Sequence, residues 1–500
     1  MAISDRHAYA DALAAGALHR PVCELLQCRY PLLLAGMGGV ARSDLVSAVS
    51  RAGGFGLLGM VRETPELIDQ EVAKVRAAST TSSFGVSIIP AATEPTLLNN
   101  QIAACVDLKA PAVCLFWDLS LPAIKRFRAA GILVICQVGS LEEAKAAQRA
   151  GAQVLVVQGM EAGGHVRGRR PLCELVLEVL GEVDIPVLVA GGLVDGRDVA
   201  TYMALGAQGA MLGTALLATK ESFAHEYHKQ AILKATADDT ILTQAFHINW
   251  PSGAAVRVLQ NSVTRGEHGD PHAPEKRVIG AECDRPIYLF STDSPLRSTT
   301  GNLEAMALYA GRGAERIRDL PGAAERIDRI VLDASEALFV PTEAVIEPIE
   351  VSSPVCYVAE MVREYLDLAD EDAVLTALND FLEAERAGLR VLLDTFALAG
   401  DQSLKAAAQA LLPNTVKRCG ALVSAIQDCH GRPSVLTGHA YQDAQKLPDF
   451  QERLKFIADS QVAWTKNLKG LLPRLPEGRL QNELREILIL HDLKPLDPCG

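Results

Sequence analysis

Short apolar runs alternate with amphipathic stretches from about residue 20 to residue 335. Roughly eight of these runs predict strands: PLLLAG, FGLLGM, FGVSII, AVCLF, ILVICQV, AQVLVVQG, IPVLVAGG and GAMLG. Helical periodicity separates most of them, as in LEEAKAAQRAGA and DGRDVATYMALGA. Because the runs are apolar throughout, we expect strands buried on both faces, as in a parallel sheet covered by helices. Their regularity favours an α/β fold, a closed TIM (β/α)8 barrel, over an open doubly wound sheet.

The pattern changes after about residue 340. Proline interrupts the segment VIEPIEVSSPVC, which has no helical period and predicts a linker at residues 341–352. Residues 353–500 then read as helices: VCYVAEMVREYLDL, AVLTALNDFLEAERAGLRVLLDTFAL, NTVKRCGALVSAIQDC, FQERLKFIADSQVAWTKNLKGLL and LQNELREILILHDL. We therefore predict a barrel domain at residues 1–340 and an antiparallel four- or five-helix bundle at its C-terminal side.

The region from about residue 240 to 300 lacks a clear period and carries FHINWPSGAA and GEHGDPHAPEKR. It predicts long loops inserted into the barrel domain, where elements that cover a substrate are often found. Two residues of this insertion, His247 and Trp250, could cover a pocket. Surface packing is the preferred interpretation of both.

Composition narrows the class of protein. The 500 residues carry a net charge of −13 with scattered basic positions, which argues against a nucleic-acid partner. No stretch of about twenty residues is free of both charged residues and interrupting glycine or proline, and the first thirty residues do not resemble a signal peptide. We expect a cytoplasmic protein with no membrane partner. The eleven cysteines form no CxxC pair and predict buried, reduced thiols rather than disulfides or zinc ligands.

Four predicted strands end in glycine-rich turns. They are AGMGGVA (residues 35–41), QGMEAGGH (158–165), AGGLVDGRD (190–198) and GAMLGT (209–214). In a barrel these ends meet at the C-terminal rim, where active sites gather. In the last two, glycines lead into a helix start, so backbone N–H groups can bind an anion. The order of these turns predicts a phosphate cradle on the late strands.

Read together, several segments resemble the FMN-dependent nitronate monooxygenases, formerly called 2-nitropropane dioxygenases. They are PLLLAGMGGVA, AVSRAGGFGLLG, FGVSI, QGMEAGGHVRG, VLVAGGLVDGRDVATYMALGAQGAMLGT and LEAMALYAGRGAERIRD, within about residues 20 to 335. The resemblance implies a TIM barrel that holds FMN without a covalent bond. The residues that it implies for cofactor binding are Met37, Gly38, Ser87, Gln158, Gly163, Gly164, Gly191, Gly192, Met211, Leu212, Gly213 and Thr214.

The resemblance places His165 over the flavin as the catalytic residue. There it would take a proton from a nitroalkane or hold an anionic nitronate by hydrogen bonds. The alternative is a histidine that only caps a strand end or binds a structural carbonyl. Glu161, four residues earlier, receives no catalytic role and could orient backbone or join a salt bridge.

Two features depart from the family pattern. Ser87 stands where the family usually has asparagine after FGV, which changes the hydrogen-bond donors near the flavin. The strand end CLFWDLS puts Phe116, Trp117 and Asp118 where substrate would lie. These residues are predicted to line the substrate pocket as an apolar wall, or alternatively to pack under a loop.

The implied reaction is oxidation of a nitronate or nitroalkyl compound by dioxygen to a carbonyl compound and nitrite. FMN carries this chemistry, while the protein supplies orientation and charge. The first alternative is an FMN-dependent enoyl reductase or quinone-type oxidoreductase that uses NAD(P)H, because the EAGGH segment also occurs in enoyl reductases. The second is a non-catalytic flavin-binding scaffold.

The C-terminal segments LNDFLEAERAGLRVLL, RPSVLTGHAYQDA and RLKFIADSQVAWTKNLKGLLPRL resemble a small bacterial family of ferritin-like helical domains. A di-iron site of that kind needs Glu-x-x-His pairs, which place both ligands on one helix face. The residues three positions before His430, His439 and His491 are Gln427, Leu436 and Leu488. No such pair exists, and no metal is predicted.

A mixed cluster of other ligands is conceivable in the same domain, from Glu383, Glu385, Glu452, His430 and His491. Solvated helix faces are the preferred interpretation of the glutamates. We expect the helical domain to mediate homodimer formation, to bind a protein partner, or to cover the mouth of the barrel.

Overall fold

The computed structural model describes residues 18–79, 81–236, 238–338, 371–475 and 479–492. Its chain divides into two compact units. The first contains residues 18–199 and 207–332, and the second contains residues 200–206 and the described residues from 333 onward. The predicted linker at residues 341–352 and the first candidate helix after it lie outside the described residues. The predicted domain bounds at residues 340 and 353 therefore stay predictions.

Fourteen strands occur in the described residues, and all lie in the first unit. They are β1 (Leu32–Leu34), β2 (Gly56–Gly59), β3 (Phe84–Ile88), β4 (Ala112–Leu115), β5 (Leu133–Val138), β6 (Val154–Gln158), β7 (Gly164–Val166), β8 (Val187–Ala190), β9 (Ala210–Leu212), β10 (Thr240–Thr243), β11 (Ala255–Leu259), β12 (Val278–Glu282), β13 (Arg285–Tyr288) and β14 (Thr299–Gly301).

Eleven α-helices precede residue 339 in the described chain. They are α1 (Pro21–Leu26), α2 (Ser43–Arg51), α3 (Pro65–Ala78), α4 (Pro95–Asp107), α5 (Leu121–Ala129), α6 (Leu141–Ala150), α7 (Leu172–Leu180), α8 (Gly196–Ala204), α9 (Thr214–Leu217), α10 (Glu226–Lys234) and α11 (Ala323–Leu338). Short 3-10 turns lie at Pro90–Ala92, Leu303–Ala305 and Arg312–Arg316. Serine or threonine side chains cap α3, α5 and α6, as at Thr64, Ser120 and Ser140.

Eight parallel strands form one sheet in the order β1-β9-β8-β6-β5-β4-β3-β2. The two ends of this order meet, because Leu33 forms a parallel bridge with Phe55. The Leu34 N–H donates to the Phe55 carbonyl at 2.9 Å, and the Phe55 N–H donates to the Leu32 carbonyl at 2.9 Å. The predicted TIM barrel is confirmed.

The barrel interior is a packed apolar core. Leu33, Leu57, Ile135 and Leu188 belong to one buried cluster, and α1 packs onto the same cluster through Val22. Interior side chains of this kind fill a TIM barrel rather than leaving a pore. The space for a ligand therefore lies beyond the ends of the strands.

Besides loops such as residues 260–277, the inserted region contains strands of two small antiparallel sheets, which the sequence does not predict. One sheet has the order β10-β11-β7 and the other has the order β13-β12-β14. The loop prediction misses these strands because several of them are short and partly exposed, so they show no clean alternation of polar and apolar residues. The first sheet includes β7, which carries His165 opposite Val256.

Among the described residues, no helix is both long and apolar enough to cross a bilayer. None of the nine cysteines in this part of the chain forms a disulfide, and seven of them are buried. Cys283 is the exposed one. The burial of these thiols agrees with the prediction of mostly buried cysteines.

The second unit is helical. Its described helices after residue 370 are α12 (Glu371–Leu398), α13 (Gln402–Asp428), α14 (Gly438–Gln445), α15 (Phe450–Leu471) and α16 (Arg479–Asp492), with a 3-10 turn at Leu472–Arg474. Helix α12 packs against α13, α14 and α15, and α13 packs against α16. The predicted helical domain is present, and its ferritin-like character stays a prediction.

A buried ion pair joins three of these helices. The Glu385 carboxylate on α12 is fully buried and accepts from the Arg418 Nε on α13 at 2.9 Å. It also accepts from the Gln461 amide on α15 at 3.2 Å. The interpretation of the glutamates as solvated is wrong for Glu385, because its helix face points into the bundle core.

The other members of the conceivable ligand cluster lie elsewhere. Glu383 accepts a hydrogen bond from the Ser434 hydroxyl, and Glu452 and His430 are exposed. The side chain of His491 lies outside the description. Among the described residues, no group of three or more His, Cys, Asp or Glu side chains is placed to hold a metal ion.

The ion pair generates a prediction about stability. Arg418→Met leaves the buried Glu385 charge without its cation, and such a loss costs about 3–5 kcal/mol. We expect the unfolding transition of the helical unit to move to lower urea concentration, measured on the full chain. The control is Lys466→Met, an exposed position on α15. If the unpaired Glu385 charge causes this loss of stability, the double variant Glu385→Gln/Arg418→Met is less destabilised than Arg418→Met alone.

Candidate functional site

A cavity of about 690 Å³ opens at the C-terminal ends of the barrel strands. Small-molecule and cofactor sites commonly have volumes of about 300–1,000 Å³. Most of the residues predicted for the site line this cavity: Met37, Gly38, Ser87, Phe116, Gln158, Gly163, Gly164, His165, Gly191, Gly192, Met211, Gly213 and Thr214. They come from distant parts of the chain because the barrel brings all strand ends to one rim.

Three predicted residues do not line the cavity. Leu212 is fully buried, and its carbonyl accepts from the Ala35 N–H at 2.9 Å, so it belongs to the barrel wall. Trp117 packs edge-on behind Phe116, with ring centroids 5.8 Å apart. Asp118 is more than half exposed and forms an ion pair with Arg167 at 3.3 Å. Of the predicted pocket wall, only Phe116 faces the cavity.

The cradle predicted for a phosphate is built at the ends of β8 and β9. Gly192 has a φ of +73°, a conformation that side chains rarely adopt. The Arg316 guanidinium fixes this turn by donating to the Gly192 carbonyl at 3.1 Å and to Asp198 at 2.6 Å. At the end of β9, helix α9 begins at Thr214, and its first N–H groups have no partner inside the helix. This arrangement fits an anion.

The backbone of His165 is positioned by strand pairing. It lies on β7, which pairs with β11 in antiparallel register. The Gln158 amide, at the end of β6, donates to the His165 carbonyl at 2.9 Å and accepts from the Arg167 N–H at 2.9 Å. Gln158 thereby ties the barrel to the inserted sheet.

The glycine before this strand is required by close packing. A Cβ atom on Gly163 would lie 2.5 Å from the Gly311 nitrogen and 2.6 Å from the Ala310 carbonyl carbon. No real side chain tolerates such distances to backbone. The glycines next to His165 thus let the strand pass close to the loop at residues 310–311.

Aromatic rings surround the imidazole. The Trp250 ring stacks on His165, with centroids 3.3 Å apart and planes inclined by 18°. Trp117 contacts the imidazole edge-on at 6.0 Å, and Tyr309 lies at 5.7 Å. The Tyr309 hydroxyl is fixed by donating to the Thr292 carbonyl at 2.6 Å. These contacts hold the ring in one orientation.

The surroundings of the imidazole favour its neutral form. Burial and, secondarily, the nearby Arg62 cation lower the pKa of His165 well below its ordinary value. Its Nε2 atom is buried and has no hydrogen-bond partner among the described residues. A buried nitrogen without a partner in the wall of a cavity is suited to a ligand group that donates or accepts a proton there.

The carboxylate of Glu161 contacts backbone rather than a reacting group. It accepts from the Leu172 N–H at 3.1 Å and so lies at the first turn of α7. Burial raises its pKa. This contact agrees with the view that Glu161 orients neighbouring backbone.

Sequence reasoning missed several cavity residues. Trp250 lines the cavity, although surface packing was the preferred interpretation. The lining also includes Arg62, Arg285, Asp293 and Tyr309, which were not singled out. The one signal for Trp250 is an aromatic residue between Asn and Pro in the insertion, which does not tell which surface it faces.

A model of the family described as nitronate monooxygenase matches residues 19–98 and 89–333. This match covers more than half of the chain and contains every residue of the cavity lining. The chain belongs to the nitronate monooxygenase family. It is therefore an oxidoreductase.

Curated relatives and solved structures agree with membership of the nitronate monooxygenase family. A probable nitronate monooxygenase of Staphylococcus haemolyticus is 32% identical over 280 residues, covering 47% of this chain and 76% of the relative. One from Staphylococcus aureus strain Newman is 30% identical over 328 residues, covering 55% and 92%. The nitroalkane oxidase structure from Streptomyces ansochromogenes is 27% identical, with a TM-score of 0.51 and coverage of 63% and 98%.

Two further comparisons concern a solved enzyme structure and the C-terminal helical unit. FabK from Thermotoga maritima is 27% identical, with a TM-score of 0.55 and coverage of 69% of this chain and 99% of that chain. Residues 372–494 match a family described as a domain of unknown function (DUF6306). The helical unit of this nitronate monooxygenase family member is thus a second, distinct module.

The stacking of Trp250 generates a prediction about the imidazole. Trp250→Ala opens the ring to water, and because burial lowers the pKa of His165, we expect that pKa to rise toward its ordinary value. The measurement is an NMR titration of protein labelled with ¹⁵N-histidine. Leu242→Ala, an exposed change on β10 of the same inserted sheet, serves as control. An unchanged titration in Trp250→Ala would show that the indole does not shield the ring.

Proposed function

We propose that this protein is an FMN-dependent nitronate monooxygenase that converts a nitronate or nitroalkyl compound and dioxygen to a carbonyl compound and nitrite. The observation that carries the proposal is the buried, unpartnered Nε2 of His165 in the wall of a glycine-rich cavity. Family membership supports the same reaction. We also infer that the protein acts in the cytoplasm.

The residues present fit FMN. The turn at Gly191–Gly192 and the start of α9 at Gly213–Thr214 would hold its phosphate through backbone N–H groups. Met37, Gly38, Ser87, Gln158, Gly163, Gly164 and Met211 would lie along the rest of the cofactor, since all of them line the same cavity. Leu212 would contribute only as part of the strand below. When bound, FMN supplies electron acceptance and the reaction with dioxygen.

His165 would act at the nitro-bearing end of the substrate. Its neutral imidazole can take a proton from the carbon next to a nitro group, or donate one hydrogen bond to a nitronate oxygen. A lowered pKa makes the imidazole a weaker base, because the protonated form is destabilised by burial and by Arg62. A substrate that is already deprotonated does not need this weak base. The site therefore favours nitronates over neutral nitroalkanes.

The aromatic residues would exclude water from the reacting end. Phe116 and Trp250 belong to one apolar cluster with Ile89 and Trp117, and Phe116, Trp250 and Ile89 line the cavity. This apolar side also supports a second candidate function, an NAD(P)H-dependent enoyl reductase or quinone oxidoreductase on the same cofactor, since an acyl chain or a quinone needs such a surface.

Reduction of the bound flavin without oxygen separates these functions. We expect ethyl nitronate alone to bleach the flavin absorbance of the holoprotein, and nitrite to appear once air is admitted. NADH and NADPH, tested in parallel, should bleach it slowly or not at all. Bleaching by a nicotinamide and not by the nitronate would favour the reductase. A protein that binds FMN but is reduced by none of the three would be a scaffold.

The role of His165 is tested by His165→Asn. We expect bound FMN to be retained and kcat/KM for nitroethane to fall about 10²- to 10⁴-fold, because general-base catalysis contributes about this much. Activity with ethyl nitronate should fall less, since no proton needs to be removed. Comparison of the two substrates in steady-state assays gives the result. Equal losses would leave anion binding, and not proton removal, as the function of His165.

A further inference from the structure

Four residues with full charges line the cavity among those that the structure describes: Arg62, Glu63, Arg285 and Asp293. Glu63 accepts from Arg42 at 2.8 Å. Arg285 pairs with Asp293 at 2.9 Å. Arg62 has only a longer contact of 3.5 Å with the same Asp293 oxygen. One carboxylate thus serves two guanidinium groups, and Arg62 is the less compensated cation.

The side chain of Arg62 keeps hydrogen-bonding capacity in the cavity. Its Nε atom is buried and has no hydrogen-bond partner among the described residues. Its side chain is 28% exposed, which leaves part of the guanidinium open to the cavity. A guanidinium carries five N–H donors in a planar fork that matches planar anions.

The backbone of Arg62 is held in an unfavourable conformation. Its φ is +57°, in the left-handed region that residues with long side chains seldom occupy. Such strain persists where the surrounding structure fixes it, and it clusters at ligand-binding positions. The turn after β2 therefore presents Arg62 to the cavity despite its local preference.

Arg62 and His165 line the same cavity and come from different parts of the barrel rim. Arg62 follows β2, and His165 follows β6. In the closed ring these strands are separated by β3, β4 and β5 on one side and by β1, β9 and β8 on the other. The cradle for the phosphate lies at β8 and β9, away from β2. A ligand that contacts both residues would thus meet a cation and an imidazole whose neutral form is favoured by burial.

We propose that Arg62 recognises the negative charge of the substrate by binding the planar anionic nitro group of the nitronate while His165 contacts the same group. This inference rests on the proposed function, because a nitronate is the substrate whose charge it explains. Arg62 is then a substrate-binding residue that separates nitronates from neutral nitroalkanes. Asp293 offsets part of its charge and sets how strongly the anion is held.

Nitrate provides an unreactive probe, since it is a planar anion with nitrogen-bound oxygens. We expect nitrate to bind the FMN-loaded protein in calorimetric titrations and to compete with ethyl nitronate. In Arg62→Met, nitrate binding should weaken at least about tenfold, and KM for ethyl nitronate should rise by a similar factor with a smaller change in kcat. Arg62→Lys, which keeps the charge but not the fork, should lose less.

Two variants serve as controls. Arg170→Met removes an exposed arginine of the same unit that pairs with Glu174 and Glu178, so it changes the net charge equally without touching the cavity. It should leave nitrate binding within about twofold of the wild type. Asp293→Asn removes the offsetting carboxylate and should tighten nitrate binding. Opposite shifts in Arg62→Met and Asp293→Asn exclude general damage to the fold.

The outcomes separate this proposal from the proposed function. Unchanged nitrate binding and KM in Arg62→Met would overturn the role of Arg62 even if nitronate is turned over. Loss of FMN from Arg62→Met would assign the guanidinium to the cofactor and also overturn it. Absence of nitrate binding to the wild type would contradict it too. If Arg62→Met no longer binds nitrate but the wild type does not oxidise a nitronate, the result supports Arg62 as an anion-binding residue and contradicts the proposed reaction.

Discussion

The pairing of β7 with β11 fixes the geometry on which the site depends. A barrel strand end alone leaves its following loop free, yet His165 must hold one position for a proton or a hydrogen bond to be placed. The register of β7 on β11 and the Gln158 amide supply this constraint from two directions. The inserted sheet is thus a structural part of the site, and the rim of the barrel is completed by residues far away in sequence.

The apolar surroundings of the imidazole lower the pKa of His165 and thereby affect the charge of the cavity wall. The same aromatic contacts that fix the ring remove water from it, and the pKa of His165 falls because the protonated form loses solvation. The positive charge of Arg62, which lines the same cavity, adds to this effect. A protonated His165 would be repelled by Arg62, whereas a neutral imidazole can share an anion with that cation. The electrostatics therefore favour a negatively charged ligand that needs little base catalysis.

The barrel and its glycine-rich ends could be predicted because their signals are local. Each βα unit carries its own apolar run, and a turn such as the one at Gly192 requires glycine wherever it occurs. Trp250 and Asp118 could not be placed in this way. Trp250 faces the cavity because it stacks on His165. Asp118 is drawn away from the cavity by its ion pair with Arg167. Both partners lie elsewhere in the chain. The short, half-exposed strands of the insertion gave no period to detect.

The burial of Glu385 in the helical unit could not be predicted for the same reason, because it depends on contacts between helices. A glutamate in a helix with mixed residues is usually solvated, and only the packed bundle shows that the Arg418 guanidinium and the Gln461 amide converge on it. Burying this charge is unfavourable unless its partners are in place, so the three helices must meet in one register for the unit to be stable. One carboxylate oxygen is thereby committed to two donors from different helices. Its role is to specify how the bundle packs, which is a different task from binding a metal ion with a free carboxylate.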